Sequence, residues 1–246
     1  MLILALDAST SVVTVAVAYV EKHAEAEGGG PWPRPGREVL AEISVPSRGA
    51  SETLLPAAHN ALSLAGTNLS EVGCIIAGIG PGTFTGIRIT LATARSLSIA
   101  TGAALSRNST LAALAAPALL GAEEPDVLAV LDAKRRQVFA QRFTSDGARG
   151  GILCVAPEEL PAELAVEEAL LEKSMPIVGD GAVRYREALS GVGRIPPEVS
   201  PLHRVTAAGH VFSANLAPVP LHEAVPLYVR EPDAEVRRDL NPWSKA

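Results

Sequence analysis

The sequence predicts an α/β protein built around mixed β-sheets. Three β-rich runs come first, at residues 2–7, 12–20 and 37–45, and helix-like and strand-like segments then alternate along the chain. Strands joined by short turns pair in antiparallel fashion, whereas strands separated by helices favour parallel pairing, so we expect both kinds of pairing. The chain has 246 residues, of which 48% are hydrophobic, enough for a sizeable core.

The first two runs predict a β-hairpin, because a polar turn at residues 8–11 separates two segments rich in β-branched residues. The next segment, residues 21–37, has the sequence EKHAEAEGGGPWPRPGR. Its content of Glu, Gly and Pro is typical of an irregular, mobile excursion. The alternating run at 37–45 then predicts a third strand.

Two helices flank a buried strand in the following stretch. Residues 51–66 predict a helix with Ser51 as its N-cap and Gly66 as its stop. Residues 72–80 are almost continuously apolar and predict a buried strand. A second helix is expected at 86–101, after a glycine-rich loop.

The second half of the chain is less regular, and a break near residues 103–109 predicts a boundary between two lobes. The predicted elements are a helix at 109–122 interrupted by Pro117, strands at 126–133, 134–143 and 150–157, a helix at 157–173, a strand, glycine turn and helix at 175–189, and a helix at 205–216.

Charge and cysteine usage limit the functional classes. The chain carries 21 basic and 27 acidic residues, a formal net charge of −6, which does not favour a protein that grips nucleic acid alone. Asp7 interrupts the N-terminal apolar run, so we expect no signal peptide, and no apolar run has the length of a membrane span. Cys74 and Cys154 lie in apolar stretches and predict buried thiols in a reducing cytoplasm.

The glycine-rich loop GIGPGTFTG matches no standard enzyme motif. The dinucleotide fingerprint requires a glycine where Thr85 stands, and the P-loop requires a Gly-Lys pair that does not follow Gly80. The nucleophile elbow requires a serine where Phe84 stands. The loop is therefore either a tight strand-to-helix turn or a phosphate-binding turn.

A possible phosphate site combines two turns. Asp7, Ser9 and Thr10 lie where the first strand ends, and Gly82 and Thr83 lie in the glycine loop. Hydroxyl and backbone N–H groups in such turns can hold anions. The alternative is an ordinary hairpin turn in which the Asp side chain bonds its own backbone.

The two predicted N-terminal helices each carry an apolar stripe at helical spacing. Their small residues also permit close approach of another helix, and Arg88 and Arg95 share one helix face. The stripes are either an internal core or a partner surface. The candidate interface residues are Leu55, Ala58, Leu62, Ile87, Arg88, Leu91, Ala94, Arg95 and Ser98.

No metal site is expected. The five histidines include no H-E-x-x-H motif and no pair at i, i+4, and no carboxylate pattern lies beside His203 and His210. The densest basic segment, 132–136 (DAKRR), is either a phosphate contact or a solvated hairpin turn.

Four segments together resemble one family, TsaB (YeaZ). LALDAST at 4–10 resembles its opening strand and turn, and GPGTFTGIRITLATARSL at 80–97 resembles its most specific motif. LDAKRRQVFAQRF at 131–143 and VPLYVREPDAE at 225–235 resemble two further family segments.

The resemblance implies an actin-like, Hsp70-like fold with an N-terminal lobe at 1–105, a smaller lobe at 106–220 and a tail at 221–246. It also implies a non-catalytic subunit of the machinery that makes threonylcarbamoyladenosine in tRNA. Its helices 51–66 and 86–101 would bind the catalytic paralogue TsaD, with the ATPase TsaE as a third component. The resemblance implies no cofactor of its own, ATP or ADP only at the TsaD interface, tRNA contact only within the complex, and a homodimer through the same helices in isolation.

Two other functions stay open from the sequence. An actin-like ATPase or kinase would use Asp7 with the Ser9–Thr10 turn, and Asp132 as a catalytic carboxylate. A glycoprotease-like peptidase would need a metal or nucleophile constellation, which the sequence does not display.

Overall fold

The computed structural model describes residues 1–21, 32–46, 49–120, 126–167 and 175–230. It shows an α/β protein with two mixed β-sheets flanked by helices, the fold class that the sequence predicts. Most of the predicted excursion at 21–37 and the last part of the predicted tail lie outside the described residues.

The first sheet has five strands in the order β3-β2-β1-β4-β5. The first three pair in antiparallel fashion, and the pairs β1–β4 and β4–β5 are parallel. This mixture confirms the expectation from the chain order. The strands are β1 (Leu2–Asp7), β2 (Val12–Val20), β3 (Arg37–Pro46), β4 (Val72–Gly78) and β5 (Ala104–Asn108).

The second sheet has four strands in the order β8-β7-β6-β9. Its first three strands form an antiparallel meander, and the short strand β9 pairs parallel to β6. The strands are β6 (Asp126–Lys134), β7 (Gln137–Thr144), β8 (Gly147–Val155) and β9 (Ile177–Val178).

The helices cover both faces of each sheet. We number the helices of the described residues α1 (Ala50–Leu64), α2 (Phe84–Thr101), α3 (Thr110–Leu119), α4 (Leu160–Glu167), α5 (Asp180–Arg184), α6 (Arg186–Leu189) and α7 (Ala207–Ser213). None of them is long and apolar enough to cross a membrane.

The central strand β1 is apolar at successive positions because both of its faces are buried. Leu4 and Leu6 pack in the cluster formed with α1 and α2, whereas Ile3 and Ala5 pack in the cluster formed with α7. Since side chains alternate across a strand, the run of apolar residues serves two separate cores. The first sheet with α1 and α2 on its outer face is called the first lobe below.

The second sheet is covered by α3 on one face and by α4, α5 and α6 on the other. We call this sheet and its helices the second lobe. The helices α3 and α7 pack against each other between the two sheets. Gly209 of α7 lies against the carbonyl oxygen of Ala113, and a Cβ at this position would overlap that oxygen. This close approach joins the lobes.

Several predicted boundaries are corrected. The helices predicted at 51–66 and 86–101 span Ala50–Leu64 and Phe84–Thr101. The predicted helix at 109–122 is shorter, and Pro117 lies in its last turn without interrupting it. Of the helix predicted at 157–173, the structure describes a helix to Glu167, and residues 168–174 lie outside the described part.

The packing adds detail around the predicted lobe limits at residues 105 and 220, which stay a prediction. Strand β5 continues in the first sheet to Asn108, and α7 covers the inner face of that sheet although it follows the second lobe in sequence. The described part of the predicted tail is also ordered against the first lobe. Ala224 is buried in its core, and the N–H of Leu227 donates to the carbonyl of Ile79 at 2.8 Å.

Candidate functional site

The carboxylate of Asp7, at the end of β1, is the centre of a buried polar network. Its Oδ1 accepts the backbone N–H of Ser9 at 2.6 Å, and its Oδ2 accepts the hydroxyl of Thr110 at 3.2 Å. The Oδ2 also lies 2.7 Å from Nε2 of His210. Asp7 is 1% exposed and His210 is 0% exposed. The network therefore connects β1 with α3 and α7, which flank the junction of the lobes.

The hydrogen-bond pattern fixes the tautomer of His210. The hydroxyl of Ser213 must donate to the carbonyl of Gly209, 2.7 Å away, so it accepts a hydrogen bond from Nδ2 of Asn108 at 2.6 Å. The same amide nitrogen lies 3.1 Å from Nδ1 of His210, which is therefore the acceptor. Nε2 then carries the proton and donates to Asp7.

The charge state of Asp7 follows from these contacts. Burial by itself raises the pKa of the Asp7 carboxyl, but the hydrogen bonds from His210 and Ser9 outweigh it and hold the pKa below its ordinary value. Asp7 is thus an ionised, fully bonded carboxylate inside the protein. Sequence reasoning missed His210 as its partner, because 203 positions separate the two residues and no local pattern connects them.

The predicted phosphate group is divided by the fold. Asp7 and Ser9 are buried, and the Ser9 hydroxyl lies 2.9 Å from that of Thr110, so neither side chain can reach an external phosphate. Thr10 forms its own turn with Val12, to whose N–H its hydroxyl is bonded at 3.2 Å. The burial and contacts of Asp7 and Ser9 favour the hairpin-turn alternative for these two residues. Gly82 and Thr83, in contrast, line a cleft described below.

The glycine-rich loop packs directly on the turn that follows β1. The N–H of Thr83 donates to the carbonyl of Ser9 at 2.6 Å, and the hydroxyl of Thr90 accepts the N–H of Ala8 at 2.9 Å. A Cβ at Gly86 would overlap the carbonyl oxygen of Ala8. The glycine at the start of α2 is therefore required by close packing of helix against turn.

A cleft opens between the lobes beside this loop, and we call it the inter-lobe cleft. It has a volume of about 240 Å³ and is lined mainly by three segments, 81–84, 132–135 and 227–230. These segments belong to three of the four stretches singled out in the sequence. The fold thus gathers distant sequence motifs at one place, which sequence reasoning did not foresee.

Asp132 lies in the wall of the inter-lobe cleft. Its Oδ1 accepts the N–H of Lys134 at 2.9 Å, and its Oδ2 lies 2.8 Å from the Lys134 ammonium and 3.7 Å from Arg184. Burial raises the pKa of Asp132, but the hydrogen bonds of Lys134 and the charges of Lys134 and Arg184 hold it below its ordinary value. Asp7 and Asp132 thus have separate sets of partners, and the paired catalytic arrangement of the kinase alternative gains no support from these contacts.

Most of the predicted interface residues lie on the buried sides of α1 and α2. Ala58, Leu62, Ile87, Leu91, Ala94 and Ser98 are buried, the apolar five among them in the core of the first lobe. The burial of these residues favours the internal-core alternative, because their side chains leave little surface for a partner. Arg95 is also engaged internally, since its Nη2 donates to the carbonyl of Ala224 at 2.7 Å.

The outer sides of α1 and α2 carry a different set of apolar residues. Leu55, Leu64 and Ile99 are 51%, 71% and 70% exposed. Arg88 is also exposed, and its Nε donates to the hydroxyl of Tyr228 at 2.9 Å. Among the nine predicted interface residues, only Leu55 and Arg88 are exposed.

The histidines and cysteines of the described residues do not form a metal cluster, and no group of three or more His, Cys, Asp and Glu side chains there is arranged to hold a metal ion. His203 is buried, with its Nε2 3.2 Å from the carbonyl of Pro196 and its Nδ1 3.2 Å from the N–H of Gly179. Its ring thus bridges two loops of the second lobe.

Comparison with known proteins gives consistent matches. A family model described as TsaD, tRNA N6-adenosine threonylcarbamoyltransferase, matches residues 43–170, just over half of the chain. An uncharacterised protein of Mycobacterium tuberculosis is 30% identical over 236 residues, which cover 95% of this chain and 93% of that protein.

Two further matches carry a more specific name. The tRNA threonylcarbamoyladenosine biosynthesis protein TsaB of Escherichia coli is 30% identical over 108 residues, covering 44% of this chain and 47% of that protein. A solved structure from Pseudomonas aeruginosa, of an uncharacterised protein with similarity to the peptidase YeaZ, superimposes with a TM-score of 0.69 at 26% identity. It covers 93% of this chain and 99% of that chain. The four sequence segments, the two-sheet fold and these matches agree: the chain belongs to the TsaB (YeaZ) family.

Proposed function

We propose that this protein is a non-catalytic partner subunit in the biosynthesis of threonylcarbamoyladenosine in tRNA, acting in the cytoplasm. Its relative in Escherichia coli bears that process in its name, and the matching family model bears the name of the transferase TsaD. The proposed partner is the TsaD paralogue of the same organism, with the ATPase TsaE as a further component. In this proposal, nucleotide binds only at the TsaD interface.

The observation that carries the proposal is the exposed apolar surface on α1 and α2. Leu55, Leu64 and Ile99 each leave half or more of their side-chain surface in solvent. The two helices contact each other on one face of the first sheet, and Leu64 and Ile99 lie near the C-terminal ends of α1 and α2. Exposed apolar side chains on two neighbouring helices support a protein interaction site there, because their burial by a partner is favourable.

A further observation favours a binding role over catalysis. The carboxylate of Asp7 is hydrogen-bonded to the hydroxyl of Thr110 and to the imidazole of His210. It also accepts the backbone N–H of Ser9. A catalytic group must reach a substrate, and the side chains of Asp7 and His210 are almost fully buried. The network connects β1 with α3 and α7, and this structural role supports the proposal of a binding protein over that of an enzyme.

Co-purification with the TsaD paralogue tests the proposal. We expect wild-type chain to form a stable complex, and Leu64→Glu and Ile99→Glu each to weaken it by about 10-fold or more, because each places an unpaired charge in a desolvated interface. Val199→Glu is the matched control, since Val199 is 89% exposed and lies in the second lobe. Circular dichroism and thermal melts establish that all three variants are folded.

Sedimentation of the isolated chain tests whether it forms a homodimer. If the same surface pairs two copies, Ile99→Glu converts a dimer to a monomer while Val199→Glu does not. The proposal is wrong if wild-type chain binds no TsaD paralogue, or if both surface variants bind it with wild-type affinity.

A further inference from the structure

Residues 32–34 lead into β3 of the first lobe but are attached to the second lobe and to α7. The N–H of Trp32 donates to the carbonyl of Ser145 at 3.0 Å, and its indole Nε1 donates to the carbonyl of Ser213 at 3.2 Å. The indole also stacks on Phe143, with the ring centroids 5.2 Å apart. These contacts hold the segment across the junction of the lobes.

A second cavity lies beside this segment, and we call it the Arg34 cavity. Its volume is about 500 Å³, within the range of about 300–1,000 Å³ that is usual for small-molecule sites. Its charged groups are Arg34 and Arg107, and the described part of its lining contains no carboxylate. Its apolar lining includes Trp32, Phe143 and Leu227. It is distinct from the inter-lobe cleft, since Leu227 alone among its described lining residues also lines that cleft.

The side chain of Arg34 has no partner among the described residues. It is half-buried, its Nε is buried without a hydrogen-bond partner, and its guanidinium forms no hydrogen bond or ion pair with the rest of the described chain. By contrast, the guanidinium groups of Arg37, Arg95 and Arg142 each donate to a carbonyl or a carboxylate. Because a buried donor without an acceptor is costly, an unpaired guanidinium in a cavity indicates an acceptor that comes from outside the chain.

The hydroxyl of Ser109 is a second unpaired group in the same cavity. Ser109 directly precedes α3, where a serine normally accepts a hydrogen bond from an N–H of the first helical turn. Its hydroxyl forms no such bond, and its buried Oγ has no partner among the residues that the structure describes. The N-terminus of this 10-residue helix also carries partial positive charge from its aligned peptide dipoles. The hydroxyl and the helix end therefore add to the preference of the cavity for an anion.

We propose that the Arg34 cavity binds a small organic acid, with Arg34 and Ser109 holding its carboxylate and with Trp32 and Leu227 contacting its apolar part. The planar fork of guanidinium N–H groups matches the two oxygens of a carboxylate. A few placed polar groups in a mainly apolar lining are typical of small-molecule sites. Inorganic phosphate suits the cavity less well, because it has no apolar part to cover the aromatic lining.

The fluorescence of Trp32 provides a direct test. The chain has two tryptophans, so Trp243→Phe leaves Trp32, in the lining of the cavity, as the one reporter. The probes are 4-phenylbutyrate, the uncharged 4-phenyl-1-butanol, acetate and inorganic phosphate. We expect 4-phenylbutyrate to change the emission at millimolar concentration. The other three probes should bind about 10-fold more weakly or less, because each lacks either the carboxylate or the apolar part.

Substitutions assign the binding to the named side chains. Arg34→Gln should weaken the binding of 4-phenylbutyrate by about 10-fold, and Arg34→Lys, which keeps the charge without the fork, should weaken it less. Ser109→Ala should weaken it by about threefold, since one hydrogen bond is lost. Arg194→Gln is the matched control and should change the affinity less than about twofold. Arg194 is exposed and lies beside β9, at the edge of the second sheet opposite to β8.

Thermal melts separate a binding role of Arg34 from a structural one. Because its side chain has no partner among the described residues, Arg34→Gln without ligand should melt at the wild-type temperature or above it. Addition of 4-phenylbutyrate should raise the melting temperature of wild type more than that of Arg34→Gln.

Three results would overturn the proposal. They are the absence of any change in Trp32 emission with 4-phenylbutyrate at millimolar concentration, equal affinity of Arg34→Gln and wild type, and binding of the alcohol or of phosphate as tight as that of 4-phenylbutyrate. The proposal goes beyond the role in tRNA modification. Because the isolated chain is titrated, the result is independent of whether the chain binds TsaD.

Discussion

The same three residues, Leu-Asp-Ala, lie near the end of the first strand of the first hairpin in each lobe. Asp7 follows Leu6 in β1, and Asp132 follows Leu131 in β6. In both, Oδ1 of the aspartate accepts the N–H of the residue two positions later, at 2.6 Å and 2.9 Å. The local chemistry of the two turns is therefore the same.

The two aspartates differ in what the rest of the chain places around them. Thr110 and His210 complete the contacts of Asp7 inside the protein. Asp132 is completed by Lys134 and Arg184, whose side chains are 67% and 62% exposed. The comparison teaches that an Asp-turn motif indicates neither a binding site nor a structural role by itself, because residues 103 and 203 positions away surround Asp7, whereas Lys134 and Arg184 surround Asp132.

The largest expected difference concerns stability. Asp7→Asn removes the charge from a fully buried network and places an amide donor where donors already converge, so we expect a loss of about 3 kcal/mol in the free energy of unfolding. Asp132→Asn should cost less than about 1 kcal/mol, because its cationic partners are largely exposed. Urea denaturation of the two variants and wild type measures both values.

Asn at either position keeps the side-chain oxygen that accepts the N–H of the turn. A difference between the two variants therefore measures the contacts with residues outside the turn, because the hydrogen bond within the turn is retained in both. Equal losses of stability in the two variants would contradict the distinction drawn between the turns.

The sequence contains enough information for the order and type of most elements. Alternation and β-branched residues indicated the antiparallel hairpin, and the glycines after the helices indicated their ends, with Gly102 in the left-handed conformation at the end of α2. The placement of α7 on the first sheet was not predictable, because its short sequence carries no signal for which of two sheets it covers.

The candidate sites show more clearly what could not be predicted from the sequence alone. Helical spacing identified the apolar stripe of α2 correctly as a stripe, but a buried stripe and a docking stripe have the same periodicity. Ile87 and Leu91 face the sheet, whereas Ile99, which lies outside that stripe, is exposed. The inter-lobe cleft could not be predicted from the sequence either, because its walls come from segments separated by about 50 and 90 residues.

The second expected difference concerns pH. The folded-state pKa of Asp7 is lowered, so the unfolded chain takes up the proton first as the pH falls through about 3.9, and stability is lost there. Between about pH 5 and pH 3, wild type should lose stability more steeply than Asp7→Asn, by at most about 1.4 kcal/mol per pH unit.

Asp132 also makes the free energy of unfolding fall as the pH falls, because its pKa is lowered in the folded chain. Asp132→Asn should remove this contribution, which is smaller than that of Asp7. Asp180, whose pKa is raised by burial and by the charge of Asp132, acts in the opposite direction. Its contribution is shared by wild type and Asp7→Asn, whereas Asp132→Asn also removes the neighbouring charge that raises the pKa of Asp180. Urea denaturation at several pH values gives the slopes, and identical slopes for wild type and Asp7→Asn would show that Asp7 has the same pKa in the folded and unfolded chain.

The smallest expected effect has the opposite sign and concerns the turn beside Asp132. Arg135→Asn with Arg136→Gly places the residues that a left-handed two-residue turn favours, so we expect the free energy of unfolding to rise by about 1 kcal/mol. Arg135→Gln is the control, because it removes one charge but retains a side chain that disfavours the left-handed region. Thermal melts of both variants measure the change.

A gain in the Asn-Gly variant without a gain in Arg135→Gln would assign the strain to the backbone rather than to repulsion among Lys134, Arg135 and Arg136. If both variants gain equally, repulsion between like charges is the cause. In that case the repulsion among the three basic side chains lowers the stability of the folded chain. In the first case the arginines are retained against a backbone preference for Gly or Asn.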